Sequence, residues 1–116
     1  MNTYRDLLVW QKAMDLVDEI YCLLKLLPKE ETYALSDQMR RAAISIPSNI
    51  AEGYDRDSTK DYIRFLMIAR GSKSELETQL IICVRQNLLT RQQICKAFNL
   101  CTEIGKMLNS MREKLN

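Results

Sequence analysis

The sequence contains no histidine, and it has only three glycines and two prolines among 116 residues. The lack of histidine removes the commonest general base, the commonest metal ligand and the usual partner of a catalytic serine or cysteine. The scarcity of glycine and proline leaves little material for turns, which favours a few long helices over many short strands. With 47% hydrophobic residues, a chain of this length can bury a core of its own. We therefore expect residues 1–116 to form a single all-α domain.

Long apolar runs are also missing from the sequence. No segment approaches the roughly 20 uninterrupted apolar residues that a membrane span needs. Near the N-terminus, Lys12, Asp15 and Asp18 interrupt any stretch that could act as an export signal. The expected compartment is the cytoplasm, without a membrane partner.

Four cysteines are present, and none of them forms a C-x-x-C pair. Each lies in a mostly apolar run, where it can pack as a small hydrophobic residue. A zinc site made by all four is the alternative, but the usual close pairing of ligands is absent. We expect no metal and no other cofactor. The four are Cys22, Cys83, Cys95 and Cys101.

Apolar residues recur at alternating spacings of three and four along four segments, which is typical of amphipathic helices. Short connections between the segments predict an antiparallel up-down-up-down four-helix bundle. The predicted helices are Asp6 to Leu27, Tyr33 or Ser36 to Tyr54, Thr59 to Gln86, and Arg91 to Lys114.

Particular residues predict where these helices begin, bend and end. Pro47 lies inside the second helix, which should be kinked or broken there. Gly53 is a candidate C-terminal stop for that helix. Ser58 or Asp57 is the candidate N-cap of the third helix, and Thr90 is that of the fourth. Gly71 costs its helix roughly 1 kcal/mol relative to alanine, which indicates either a close approach by another backbone or simple tolerance of the glycine.

Polar residues line facing positions of the second and third helices. If these residues are buried they need partners, so a cross-helix network is predicted in which Arg41 pairs with Glu75 or Glu52. Such a network fixes helix register, whereas the functional alternative is a ligand site that uses Arg41 and Asn49. The predicted members are Arg41, Ser45, Asn49, Glu52, Ser72, Glu75 and Gln79.

Charge is distributed unevenly along the chain. Residues 1–37 have a net charge of −3, whereas residues 38–116 have a net charge of +5. Folding could gather these cations into a basic surface that contacts phosphates, or they could simply be solvated on separate helix faces. The candidate nucleic-acid-binding residues are Arg40, Arg56, Lys60, Arg64, Arg70 and Lys73.

Three stretches of the chain resemble the bacterial four helix bundle proteins, also called 23S rRNA intervening-sequence proteins. They are LLVWQKAMDL at 7–16, QMRRAAISIPSNIAEGYDR at 38–56 and FLMIARGSKSELETQL at 65–80. The resemblance covers nearly the whole chain. The positions that match the family pattern are Trp10, Arg41, Ser45, Pro47, Asn49, Glu52, Gly53, Gly71, Ser72 and Glu75, and none of these is an accepted catalytic residue in the family.

The resemblance implies an antiparallel four-helix bundle that assembles into a homopentamer. A related protein, the accessory subunit of diversity-generating retroelements, forms a basic pentameric barrel that associates with nucleic acid and a reverse transcriptase. The present chain is less basic than that relative. The leading hypothesis is a non-catalytic homo-oligomer, a pentamer, that binds RNA or DNA; the alternative is a scaffold for a polypeptide partner. An enzyme is disfavoured by the missing histidine and nucleophile motifs.

Overall fold

The computed structural model describes residues 3–116. Within that range the chain forms four α-helices and no β-strand: α1 (Leu8–Leu24), α2 (Asp37–Tyr54), α3 (Thr59–Arg85) and α4 (Arg91–Leu115). Each helix packs on its neighbours in sequence, and α1 also packs on α4, which closes the bundle. The predicted up-down-up-down bundle is therefore confirmed. It is 43 Å long and 23 by 20 Å across.

The core runs along the bundle axis and is built from the apolar stripes of all four helices. Burying one leucine or isoleucine side chain stabilises a fold by roughly 1.5–3 kcal/mol, so these stripes dominate the energetics of the bundle. The largest fully buried side chains include Leu16, Ile20, Met39, Ile46, Ile50, Leu66, Leu76, Leu80, Ile104 and Leu108.

The first helix is shorter than predicted at both ends. A 3-10 turn at Tyr4–Asp6, capped by Thr3, comes before α1, and the extended backbone of Leu7 separates the two. At the other end, the N–H groups of Leu26 and Leu27 bond to carbonyls three residues earlier. This tighter winding ends α1 before Pro28 can do so.

The second helix remains in one piece across Pro47, whose side chain is buried. Proline lacks an N–H group, so the carbonyl of Ala43, four residues earlier, loses its helical partner. The irregular part of this region comes before the helix, where a 3-10 turn at Lys29–Glu31 and a π-helical turn at Thr32–Ser36 lead directly into α2. The helix is thus joined to irregular pieces at its N-terminal end but is not divided in two.

The predicted N-caps are confirmed, but the reason for Gly53 is different from the one predicted. The hydroxyl of Ser58 accepts a bond from the N–H of Asp61, and Thr90 forms a capping box with Gln93. Gly53 lies inside the last turn of α2 without a positive φ, so it is not a left-handed helix stop. A Cβ atom at Gly53 would lie 2.7 Å from the Cβ atom of Phe65 on α3, so the glycine allows the two helices to approach closely.

Gly71 has no such neighbour in the folded chain. Within residues 3–116, no heavy atom outside its own stretch of helix would lie within 4 Å of a Cβ atom at this position. The close approach predicted there is therefore absent from the single chain. Every helix in the described range is too short or too polar to span a lipid bilayer.

Candidate nucleic-acid interface

Three of the predicted basic residues lie together at the turn between α2 and α3. Arg56 belongs to the turn itself, whereas Lys60 and Arg64 occupy the first two turns of α3. The guanidinium groups of Arg56 and Arg64 lie 4.7 Å and 4.5 Å from the ring centroid of Phe65. Such cation–π contacts stabilise by about 0.5–1 kcal/mol at exposed sites. One aromatic ring thus contacts two arginines.

Carboxylates balance the charge of this cluster, since residues 52–64 contain four acids (Glu52, Asp55, Asp57 and Asp61) and only these three cations. Arg56 pairs with Glu52 at 3.7 Å, and Arg64 pairs with Asp61 at 3.6 Å. These side chains are between 44% and 56% exposed, and ion pairs of that exposure contribute only about 0–1 kcal/mol. In the described part of the chain, no carboxylate lies within 4 Å of the Lys60 ammonium group. The two ion pairs therefore contribute little to stability, and the arginines are held mainly by their contacts with Phe65.

The other three candidate cations lie elsewhere on the bundle. Arg40 is on the α1 side of α2, where it lies 5.8 Å from the ring centroid of Tyr21 and pairs with Asp37 at 3.5 Å. Arg70 turns towards α4 and donates to the Asn109 amide oxygen at 2.8 Å. Lys73 is largely covered by the neighbouring helix. The structure therefore divides the six candidates into one cluster of three and three separate residues.

Lys73 lies in the interface between α3 and α4. Its ammonium group pairs with Glu77 at 3.0 Å, and the two side chains are only 15% and 20% exposed. Its stem crosses α4 at Gly105, where a Cβ atom would lie 3.0 Å from the Lys73 Cε atom. Gly105 was not singled out from the sequence, although a glycine inside a long helix could have indicated such a contact.

The predicted polar network exists as a smaller set of contacts between α2 and α3. The hydroxyl groups of Ser45 and Ser72 are 2.8 Å apart and bridge the two helices. Asn49 donates from its amide to the carbonyl of Ser45 at 2.8 Å and to its hydroxyl at 2.9 Å. The carbonyl freed by Pro47 belongs to Ala43 and not to Ser45, so Asn49 supports the serine bridge and does not repair the proline defect.

The charged members of the predicted network are not part of these contacts. Arg41 bonds to Asp37 at 3.1 Å, one turn earlier in its own helix, and its side chain is 78% exposed. Glu52 pairs with Arg56 as described above. Among residues 3–116, no cation lies within 4 Å of the Glu75 carboxylate. Arg41 pairs with Asp37 and not with Glu75 because an acid four residues away on the same helix is within reach, whereas Glu75 lies across the groove on α3.

Gln79, the last predicted member, is buried but not satisfied. Its side chain is only 4% exposed, and no donor in the described chain reaches its Oε1 atom. Gln79 lies two turns after Ser72, so it is on the α2 side of α3. A buried acceptor without a donor costs about 1–3 kcal/mol.

The cysteines divide into two buried and two exposed residues. Cys83 and Cys101 are buried, whereas Cys22 and Cys95 are exposed, so the expected hydrophobic packing holds for only two of them. Burial raises the pKa of the Cys101 thiol to about 12, and it raises the pKa of Cys83 as well. Within residues 3–116, no group of three or more potential ligands is placed to hold a metal ion.

The fold and the surface together define an antiparallel four-helix bundle with a cluster of cations on an aromatic ring at one end. Its sequence matches the pattern of the 23S rRNA-intervening sequence proteins over residues 5–110. The chain therefore belongs to the 23S rRNA-intervening sequence protein family.

A solved structure agrees with this assignment. A protein of unknown function from the S23 ribosomal protein family of Bacteroides thetaiotaomicron is 33% identical and superimposes with a TM-score of 0.84. The match covers 90% of the present chain and 98% of that protein. A comparison with curated proteins finds no significant match.

Proposed function

We propose that this chain is a non-catalytic, homopentameric helical bundle of the cytoplasm that binds RNA or DNA through a basic surface shared among its subunits. The observation that carries the proposal is the cluster of Arg56, Lys60 and Arg64, with both guanidinium groups over Phe65. Guanidinium groups bind phosphate in a bidentate manner, and fixing them on a ring reduces the conformational entropy lost on binding. The cluster also lies at the start of α3, where the helix dipole favours anions.

Assembly is part of the proposal because one subunit presents few cations. Three cations on one chain make a weak phosphate site, whereas linked copies act on one nucleic acid with an increased effective concentration. The family is named for intervening sequences of 23S rRNA, so a structured RNA is the first ligand to test.

The side chains favour binding over catalysis. The sequence has no histidine, and burial keeps the Cys83 and Cys101 thiols protonated by raising their pKa. A thiol is a nucleophile only as its thiolate, so these two cysteines are poor candidates for covalent chemistry. The ionic groups of the cluster are suited to holding phosphates in place.

Fluorescence anisotropy with a labelled structured RNA and with duplex DNA, across a salt series, tests this function. We expect saturable binding. The logarithm of the association constant should fall linearly with the logarithm of the salt concentration, with a slope of about −0.9 for each phosphate contacted on duplex DNA. The double variant Arg56→Gln/Arg64→Gln should bind more weakly with a shallower salt slope.

The matched control is Arg85→Gln/Arg91→Gln, which removes two exposed arginines from the α3–α4 connection at the other end of the bundle. It has the same net charge as the test variant, so it separates a local site from a general effect of charge. Equal losses in the two variants, or no binding by the wild type at low salt, would refute the proposed site.

A protein scaffold is the second candidate function. Tyr33 is 96% exposed and Leu26 is 54% exposed, and both lie near the α1–α2 connection, at the end of the bundle away from the arginine cluster. Exposed aromatic residues are enriched at protein interfaces. If the wild type binds neither nucleic acid, capture of a polypeptide that depends on Tyr33 becomes the expected activity.

A further inference from the structure

Positive charge is concentrated where the first half of α3 packs on the second half of α4. The register of these antiparallel helices is fixed by contacts of Arg70 with Asn109, Met67 with Arg112, and Lys73 with Gly105. Residues 62–74 therefore face residues 104–116. The two segments have a net side-chain charge of +5, whereas the whole chain has +2. Their cations are Arg64, Arg70, Lys73, Lys106, Arg112 and Lys114, and their one acid is Glu113.

Two of these cations pair with acids that lie just outside the segments. Arg64 pairs with Asp61, and Lys73 pairs with Glu77. With those two acids included, the region still has a net charge of +3. In residues 3–116, no carboxylate lies within 4 Å of the other four cations. These four, here called the α3/α4 row, are Arg70, Lys106, Arg112 and Lys114.

The two arginines of the row cross the groove between α3 and α4 from opposite sides. Arg70 extends from α3 to the Asn109 amide oxygen at 2.8 Å, and Arg112 extends from α4 to the Met67 sulfur at 3.5 Å. Met67 and Arg70 are one turn apart on α3, and Asn109 and Arg112 are one turn apart on α4. The two guanidinium groups therefore lie on adjacent turns of the same groove.

These contacts position the arginines without satisfying them. A guanidinium group has five N–H donors, but Arg70 and Arg112 each make a single hydrogen bond within the described chain. The partner of Arg70 is a neutral amide, and the thioether sulfur of Met67 is only a weak acceptor. Both arginines are half-buried, so their freedom is restricted while most of their donors stay available to an anion.

From these observations we propose that the α3/α4 row binds the phosphate backbone of a nucleic acid, with Arg70 and Arg112 each holding one phosphate. This inference rests on the proposed function and gives it a second contact surface. Arginine matches phosphate because its planar fork can donate two parallel hydrogen bonds. Each segment spans about 20 Å at about 1.5 Å per residue, so the row suits an extended polyanion better than a single phosphate group.

The double variant Arg70→Gln/Arg112→Gln tests the row by fluorescence anisotropy with a labelled structured RNA and with duplex DNA. Losing two phosphate contacts should make the salt slope on duplex DNA shallower by about 1.8. Between about 50 and about 200 mM salt, the variant should therefore lose about 12-fold less affinity than the wild type loses. Arg85→Gln/Arg91→Gln is the matched control, because it removes the same charge from the other end of the same two helices.

A second variant adds charge and removes no contact between the helices. Ser74 is exposed and lies four residues after Arg70 on α3, so the carboxylate introduced by Ser74→Glu can pair with that arginine and compete with phosphate. Only the backbone carbonyl of Ser74 accepts a hydrogen bond, from Thr78, and the substitution keeps it. Gln92→Glu is the matched control, since it adds the same charge at an exposed position in the first turn of α4.

We expect both test variants to bind more weakly than the wild type and both controls to bind as the wild type does, with circular dichroism and thermal unfolding checking each fold. A wild type that binds neither nucleic acid would refute this inference together with the proposed function. Binding that is weakened by Arg56→Gln/Arg64→Gln but by neither test variant would refute the α3/α4 row alone. Full binding by Ser74→Glu, with a loss only in the double variant, would also overturn it and assign the arginines to helix packing.

Discussion

Replacing Gly53 by alanine tests whether helix packing, and not a helix stop, requires glycine at this position. The added Cβ atom would lie 2.7 Å from Phe65 Cβ and 3.2 Å from Tyr62 Cδ1. Carbon atoms pack comfortably at about 3.5–4.0 Å, so α2 and α3 would have to separate by about 1 Å. The Phe65 Cβ atom is attached to the backbone and cannot rotate away.

The expected magnitude is the difference between two opposing effects. Alanine is the better helix former by roughly 1 kcal/mol, whereas overpacking a tight contact costs about 1–3 kcal/mol. Since the obstructing atom is fixed to a helix, the upper end of that range applies. We expect a net loss of about 2 kcal/mol in the free energy of unfolding.

Urea unfolding followed by circular dichroism measures this change, at one fixed protein concentration because association would otherwise shift the midpoint. Gly105→Ala is the matched control. A Cβ atom at position 105 would lie 3.0 Å from the end of the Lys73 side chain. That side chain is flexible and can change rotamer to make room. The control should leave stability unchanged or raise it by up to about 1 kcal/mol. A Gly53→Ala variant as stable as the wild type would refute the packing explanation.

Further predictions concern the polar and thiol groups. A double-mutant cycle on Ser45→Ala and Ser72→Ala should show a coupling of about 1 kcal/mol, and zero coupling would mean that the bridge is not formed. Gln79→Met should stabilise the chain by about 1 kcal/mol or more, since it removes a buried acceptor without a donor; a loss of stability would contradict that assignment. Two thiols should react quickly with Ellman's reagent and two only after unfolding, and four fast thiols would contradict the burial of the inner pair. Burial raises the pKa of Cys101 to about 12, well above the unfolded value near 8.5. The stability that the buried, protonated thiol contributes to the fold is therefore fully present below about pH 8.5 and is lost as the pH rises towards 12. Wild-type stability should therefore fall more steeply than that of Cys101→Ala over this range, and equal slopes would refute the effect.

The helices were predictable because apolar periodicity and capping residues are local signals. The three-four alternation located all four helices, and Ser58 and Thr90 indicated the starts of α3 and α4. The ends of α1 were less predictable, since Leu7 and the turn at Leu26 depend on backbone geometry that the apolar pattern does not encode.

The candidate site was only partly predictable because it depends on how two helices meet. Residue spacing placed Arg41 and Glu75 on facing sides of α2 and α3. It could not show that Arg41 would instead form its ion pair with Asp37 on its own helix. Arg56, Lys60 and Arg64 were among the six candidate cations, whereas the contact of two of them with Phe65 was not predicted. Whether a ring lies beneath two guanidinium groups depends on the exact path of the α2–α3 turn.

The most direct test of an assembled nucleic-acid-binding bundle is the light-scattering mass of the wild-type protein, measured with and without a structured RNA. We predict a free mass about five times the 13.6 kDa chain, and a heavier co-eluting complex once RNA is added at low salt. A free mass of one chain, with the RNA eluting separately, would contradict the account.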